Sequence, residues 1–323
     1  MRAWRLVDRS GTIRIQDVPT PHPPPGWVTV EVRAAGLCHS DLYLMDGAAF
    51  TSTTGAKLAF DPPLTLGHEI AGEIAEVGDG VSGWSRGDRV VSAQDPSNAR
   101  FGSPGNTFDG GIAQFCALPA ARLVRIPDDV RDDLAAVATD SINTAFYAVK
   151  YSGALQLGER VGIVGLGGLG INALRTAVLL GGQVYGVDIN PQGFGLARDA
   201  GATECLTDAA ALQAVAPALV VDFVGSSDSV AASLESVALG GRVVVVGLAS
   251  KQVRIDCYDL ILGRKSLRGS HGGNFESMSE VFTFASEGKL GSELVHVPFE
   301  AVDRAYADLR AGTVGPRRLV TSP

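Results

Sequence analysis

Gly165-Leu166-Gly167-Gly168-Leu169-Gly170 is the stretch whose reading decides the fold. It follows Val161-Gly162-Ile163-Val164, an apolar run with the character of a buried strand. It opens Ile171-Asn172-Ala173-Leu174-Arg175-Thr176-Ala177-Val178-Leu179-Leu180, an apolar-faced helix that stops at Gly181-Gly182. A G-x-G-x-x-G pattern carries meaning only between a strand and a helix, and both are present here. The glycines allow a tight turn and a close approach of backbone to a pyrophosphate. The helix start adds free N–H groups and the positive end of its dipole. The next apolar strand, Gln183 to Val187, ends in Asp188, the acid expected roughly 20 residues on, where it bonds the adenosine ribose hydroxyls. Together these features predict a dinucleotide site.

Outward from this unit the chain has two textures. From Arg160 onward strands and helices alternate. The strand stretches are Val161–Gly165, Gln183–Asp188, Thr203–Leu206, Ala218–Val224, Arg242–Gly247 and Ser266–Gly269, with helical patterns in most of the gaps. That alternation predicts an α/β, doubly wound parallel sheet with right-handed crossovers, a Rossmann fold. The first 120 residues instead read as β-rich and barrel-like. Thr12-Ile13-Arg14-Ile15-Gln16 and Trp27-Val28-Thr29-Val30-Glu31-Val32-Arg33 alternate as half-buried strands do. Between them Pro19 to Gly26 is a stiff connector. A short helix follows Cys38, strands resume at Ile70–Val77 and Arg89–Val91, and Gly110 to Leu118 reads as a further strand. Ser92 to Phe108 has no periodicity and reads as loop. Asp132 to Val149 reads as a helix broken near Asp140-Ser141-Ile142-Asn143, and Glu276 to Glu287 as another helix.

The bulk numbers limit the function classes. With 323 residues the chain is long for one core, since domains average roughly 150 residues. Apolar residues make up 46% and charged residues 19%, an ordinary globular balance. The net charge of −8 and the lack of a long basic run argue against nucleic acid and against an anionic membrane as partner. The 4 Cys are too scattered for a disulfide framework. The first residues lack the apolar core of an export signal, so a cytoplasmic setting is expected. The apolar region Val161 to Ile189 is interrupted by Asn172, Arg175 and glycines, which makes it a poor membrane span.

Cys38, His68 and Asp140 form a second constellation: a thiolate, an imidazole and a carboxylate, the ligand types of catalytic zinc. Taken singly, each has an ordinary structural reading, as a buried small hydrophobe, a hydrogen-bonded histidine and a helix cap. Four motifs change that when read in order. They are Gly36-Leu37-Cys38-His39-Ser40-Asp41, then Gly67-His68-Glu69 leading into Gly72-Glu73, then Gly87-Asp88-Arg89-Val90, then the glycine turn Gly165–Gly170. Together they resemble the zinc-dependent medium-chain alcohol dehydrogenase family.

The resemblance implies a catalytic GroES-like domain at 1–142 and 273–323, and a dinucleotide-binding domain at 143–272 with the active site in the cleft. It implies that Cys38, His68 and Asp140 hold a catalytic zinc, with Glu69 beside the metal or transiently on it. Asp41 would orient the His68 ring. Ser40 would contact the substrate oxygen and start a proton relay. His39, Gly165, Gly167, Gly168, Leu169 and Gly170 would face the cofactor pyrophosphate, and Arg317 would contact a phosphate. Asp188 points to NAD, because its carboxylate would repel an added 2′-phosphate.

The implied reaction is hydride transfer between an alcohol, or the matching carbonyl, and NAD. A reductase of a conjugated carbonyl or iminium on the same fold is the alternative, with a zinc-free quinone oxidoreductase-like enzyme after it. A homodimer or homotetramer is implied as well. Three departures from the family stand out. Ser92–Phe108 contains no Cys, so one zinc per chain is expected and no structural zinc. Tyr43 stands where a relay histidine is common, so the proton's exit is through Tyr43 or directly to solvent. The loop 46–61 is long, and its Phe50, Leu58 and Phe60 line either a bulky apolar pocket or a surface flap.

Overall fold

The computed structural model describes residues 1–47, 50–51, 57–58, 62–93 and 102–323. The chain divides into two compact units, one of Met1–Asp140, Asn274–Ser286 and Glu293–Pro323, the other of Ser141–Gly273 and Glu287–Ser292.

The second unit is built on a 6-stranded parallel sheet. Its spatial order is Glu204–Leu206, Gln183–Val187, Arg160–Val164, Leu219–Asp222, Arg242–Val245 and Ser266–Gly269. All of the strand stretches read from the sequence are in it. Both faces are covered, as a parallel sheet requires. Val161, Ile163, Leu219, Val221 and Val244 face one apolar cluster, which includes Ile171, Leu174 and Ala177 of the helix Gly168–Leu179. Their chain neighbours Val164, Val220 and Val243 face the other, with Val230 and Leu234 of the helix Ser227–Ser236. The alternation of side chains along each strand therefore sets both cores at once.

In the first unit the strand Trp27–Leu37 is central. It pairs antiparallel with Glu69–Val77, Arg318–Ser322 and Phe115–Pro119 in a 7-stranded sheet. A 3-stranded sheet of Ile13–Asp17, Arg2–Leu6 and Leu64–Thr65 lies in the same unit. Its core gathers Trp4, Leu6, Val28, Val30, Leu37, Ile70, Ile112 and Leu118, closed by Phe299, Tyr306 and Leu309 from the C-terminal stretch.

Two sequence readings need correction. Gly110 to Leu118 is a strand only at its end, Phe115–Pro119. Gly110, Gly111 and Ile112 donate their N–H groups to Thr65, Gly67 and Leu66, so this segment braces the approach to His68 and joins no regular ladder. The helix over 132–149 has the break expected near Asp140 and a second one beyond it, absent from the sequence reading. Regular α turns at Asp132–Val137 and Asn143–Tyr147 alternate with wide π turns at Ala138–Ile142 and Ala148–Ser152. Cys257 is exposed. It opens the helix Cys257–Leu262, which buries none of its residues. Phe60 and the side chains of Phe50 and Leu58, which the loop question concerns, lie outside the described residues, as do residues 94–101 of the Cys-free stretch 92–108.

The glycine turn sets a sharp contrast. Gly165 has φ 87°, and a Cβ built on Gly170 would lie 1.7 Å from the Gly165 carbonyl oxygen. A Cβ on Gly167 meets nothing within 4 Å. Gly170→Ala is therefore expected to cost about 1–3 kcal/mol through forced opening of the turn, read as a lower melting temperature. Gly167→Ala should melt like the parent. Equal melting of the two variants would contradict this packing.

Candidate metal centre and dinucleotide turn

The metal-ligand types are brought together within the first unit. Cys38 follows the strand Trp27–Leu37 directly, and Glu69 begins the strand Glu69–Val77 that pairs with it, with Gly36 and Glu69 as register partners. Antiparallel pairing thus places Cys38 beside His68 and Glu69 despite their distance in sequence. Gly36 is required at that point, since a Cβ there would fall 1.8 Å from Glu69 Oε2. Asp140 arrives on the π turn Ala138–Ile142. Such widened turns recur at functional sites because the extra residue re-aims a side chain.

One donor atom from each of Cys38, His68, Glu69 and Asp140 lies within 4.8 Å of the others. Cys38 Sγ is 3.6 Å from Asp140 Oδ2, and His68 Nε2 is 3.5 Å from the same oxygen. All four residues are buried. Sulfur, imidazole nitrogen and carboxylate oxygen are what zinc takes, with metal–ligand distances of about 2.0–2.3 Å. Donors this close to one another can surround one ion. Glu69 Oε2 is a buried acceptor with no hydrogen-bond partner, a further sign that the site suits a cation. The residues present fit a zinc ion.

The surrounding groups fix these side chains. Asp41 sits in the first turn of the helix His39–Met45. Its Oδ2 accepts the Cys38 N–H at 3.0 Å, and its Oδ1 faces His68 Nδ1 at 3.4 Å. Burial alone would lower the His68 pKa, but the Asp41 charge and hydrogen bonds with Asp140, Asp41 and Cys38 hold it well above the ordinary value. Burial pushes the Glu69 carboxyl up to about 7, against the opposing pull of Arg318. Ser40 Oγ stands 3.7 Å from Cys38 Sγ, half-buried at the edge of the cluster. His39 is exposed and Tyr43 half-buried on the same helix.

Two partners were missed by sequence reasoning. Arg318 donates to Glu69 Oε1 at 2.6 Å, with 3% of its side chain exposed. Its neighbour Arg317, the expected phosphate contact, is exposed. Tyr306 donates its hydroxyl to Asp41 Oδ2 at 2.8 Å. An arginine opening an apolar strand, Arg318-Leu319-Val320, was the available signal for the first. Nothing local distinguished Tyr306 from an ordinary core aromatic.

In the second unit the glycine turn ends the strand Arg160–Val164 and opens the helix Gly168–Leu179. Asp188, just beyond Gln183–Val187, accepts the Leu166 N–H at 2.7 Å and the Asn190 N–H at 2.8 Å. Its carboxylate is thereby fixed against the turn, at the carboxyl ends of the parallel strands where open α/β sheets bind ligands.

Residues 24–128 match the alcohol dehydrogenase GroES-like domain, and residues 168–287 match the zinc-binding dehydrogenase domain. An alcohol dehydrogenase of Geobacillus stearothermophilus is 31% identical over 98% of each chain. An NAD-dependent alcohol dehydrogenase of Sulfurisphaera tokodaii is 29% identical over 90% of each. Among solved structures, the alcohol dehydrogenase of Aeropyrum pernix superimposes with a TM-score of 0.88 at 28% identity, covering 100% of both chains. The acetophenone reductase of Geotrichum candidum, in complex with NAD, gives 0.87 at 27% identity over 100% of this chain and 97% of its own. By its family-model matches and its relatives, the chain belongs to the zinc-type medium-chain dehydrogenase/reductase family, among the alcohol dehydrogenases.

Proposed function

We propose that the chain is an NAD-dependent alcohol dehydrogenase and carbonyl reductase, moving a hydride between a small-molecule alcohol and nicotinamide. The observation that carries the reading is the buried cluster of Cys38, His68, Glu69 and Asp140, with donor atoms within 4.8 Å of one another. A zinc-free quinone reductase has no use for that donor set. Relatives named alcohol dehydrogenase, one of them NAD-dependent, support the same activity.

Cys38, His68 and Asp140 would hold the zinc, which when bound acts as a Lewis acid on the substrate oxygen. Glu69, tied back by Arg318, stays close enough to share in the ligation. Ser40, beside Cys38, would contact the alcohol hydroxyl and start the relay by which its proton leaves, giving up its own proton as it accepts that one, and NAD when bound would supply the hydride acceptor. The glycine turn would offer backbone N–H groups to the pyrophosphate. Asp188 would accept from the ribose hydroxyls and reject a 2′-phosphate. One catalytic zinc per chain and a cytoplasmic setting complete the reading. No helix among the described residues is long and apolar enough to cross a membrane.

We also propose that the chain self-associates through the second unit. The helix Cys257–Leu262 exposes Tyr258 at 79%, Ile261 at 70% and Leu262 at 76%. The strand Ser266–Gly269 beside it pairs on one side only among the described residues, leaving an open sheet edge. A second copy would cover both. Light scattering should give a dimer or a tetramer, and Ile261→Asp should shift it toward monomer. A monomeric parent at micromolar concentration would exclude this.

The activity is tested by NADH formation from a panel of alcohols. Cys38→Ser is expected to lower kcat/KM by at least about 100-fold, the upper end of what loss of an outer-shell partner alone costs. Undiminished turnover would remove the metal from the reaction. Asp188→Ala should cost about 10–100-fold in kcat/KM for NAD, the worth of a charged hydrogen bond, and narrow the gap to NADP. A parent that prefers NADP in initial-rate assays would overturn the role of Asp188.

A further inference from the structure

Tyr306 lies on the helix Val302–Arg310, far along the chain from every metal-ligand candidate. It is 1% exposed and among the largest fully buried side chains of the protein. Its hydroxyl donates at 2.8 Å to Asp41 Oδ2, across 265 residues of sequence. The same oxygen accepts the Cys38 N–H at 3.0 Å, and the other carboxylate oxygen faces His68 Nδ1 at 3.4 Å. One carboxylate thus touches the backbone of one metal-ligand residue and the ring of a second, and the tyrosine is its anchor on the far side.

We propose that Tyr306 is a positioning residue of the zinc centre, acting through Asp41 to hold the His68 ring with Nδ1 toward the carboxylate and Nε2 toward the metal. The inference rests on the zinc reading of the cluster. Asp41 is 0% exposed, so water has no path to replace the tyrosine hydroxyl as a donor. Without that hydroxyl the Cys38 N–H is the one strong donor left on Asp41 Oδ2 among the described residues. The carboxylate is then free to turn about its own axis, carrying Oδ1 away from the imidazole. The ring loses the contact that fixes its tautomer, although no ligand has been altered. Burial, followed by the Asp41 charge, raises the Tyr306 pKa well above the ordinary value, so the hydroxyl keeps its proton. The bond spans the two ends of the unit's chain, which explains why a polar ring is buried there at all.

The experiment measures zinc release from the holoenzyme to a colorimetric chelator, on the parent, Tyr306→Phe, Asp41→Asn and the double variant. Tyr306→Phe keeps the ring and removes only the hydroxyl. It is expected to bind one zinc per chain and to release it about 10–100-fold faster, the usual effect of losing an outer-shell partner. In the Asp41→Asn background the same change should add less than twofold, because the tyrosine works through that carboxylate. Leu309→Ala, on the same helix and 5% exposed, is the packing control. It should lower the melting temperature and leave zinc release unchanged. Parent-like release from Tyr306→Phe would overturn the proposal, as would full additivity with Asp41→Asn. Release from Leu309→Ala as fast as from Tyr306→Phe would also overturn it, by making the effect a general loosening of the unit. A parent that holds no zinc would defeat the reading of the centre itself, a result distinct from these.

Discussion

Negative charge crowded into a buried space is the constraint on which the first unit depends. Cys38, Glu69 and Asp140 converge with His68 within 4.8 Å, and Asp41 stands directly behind the imidazole. When ionised, such groups would repel one another, and burial would deny them the water that screens charge. Arg318 answers part of this through its ion pair with Glu69. Removing one member of a buried pair costs about 3–5 kcal/mol, so that arginine is held in place as firmly as the acid. The remaining excess suits a divalent cation, and the four donors are of the kinds zinc prefers.

The scaffold meets this constraint with a few local devices. Antiparallel pairing of Trp27–Leu37 with Glu69–Val77 sets two of the ligand segments side by side. Gly36 leaves room for the Glu69 carboxylate, which any larger residue would strike. The π turn at Ala138–Ile142 carries Asp140. Two residues from the C-terminal stretch, Tyr306 and Arg318, then hold Asp41 and Glu69 from behind. On the proposed reading the second unit would meet a different problem, the approach of a dianionic cofactor, with bare backbone at the glycine turn and an acid at Asp188 held by the Leu166 and Asn190 N–H groups.

What could be read from the sequence follows from the range of the interactions involved. The parallel sheet was legible because each buried strand is a continuous apolar run, and because glycine turn, helix and Asp188 lie within one short segment. Cys38, His68 and Asp140 were legible as metal-ligand types, and their union came from several motifs in register. Tyr306 and Arg318 were hidden for the opposite reason. Their partners lie 265 and 249 residues away, and local periodicity carries no record of such pairs. The Gly110 segment was misjudged because alternation of small and apolar residues looks the same in a brace as in a ladder. The wide turns at Ala138–Ile142 and Ala148–Ser152 arise from packing and the placement of Asp140, and helix propensity does not specify them.

Elemental analysis of zinc per chain, on the purified parent and on Asp140→Ala, tests the central claim most directly. The account expects one zinc per chain in the parent and a value approaching zero in the variant, since the π turn would then present no ligand. A parent without zinc, or an Asp140→Ala protein that retains its full complement, would contradict it.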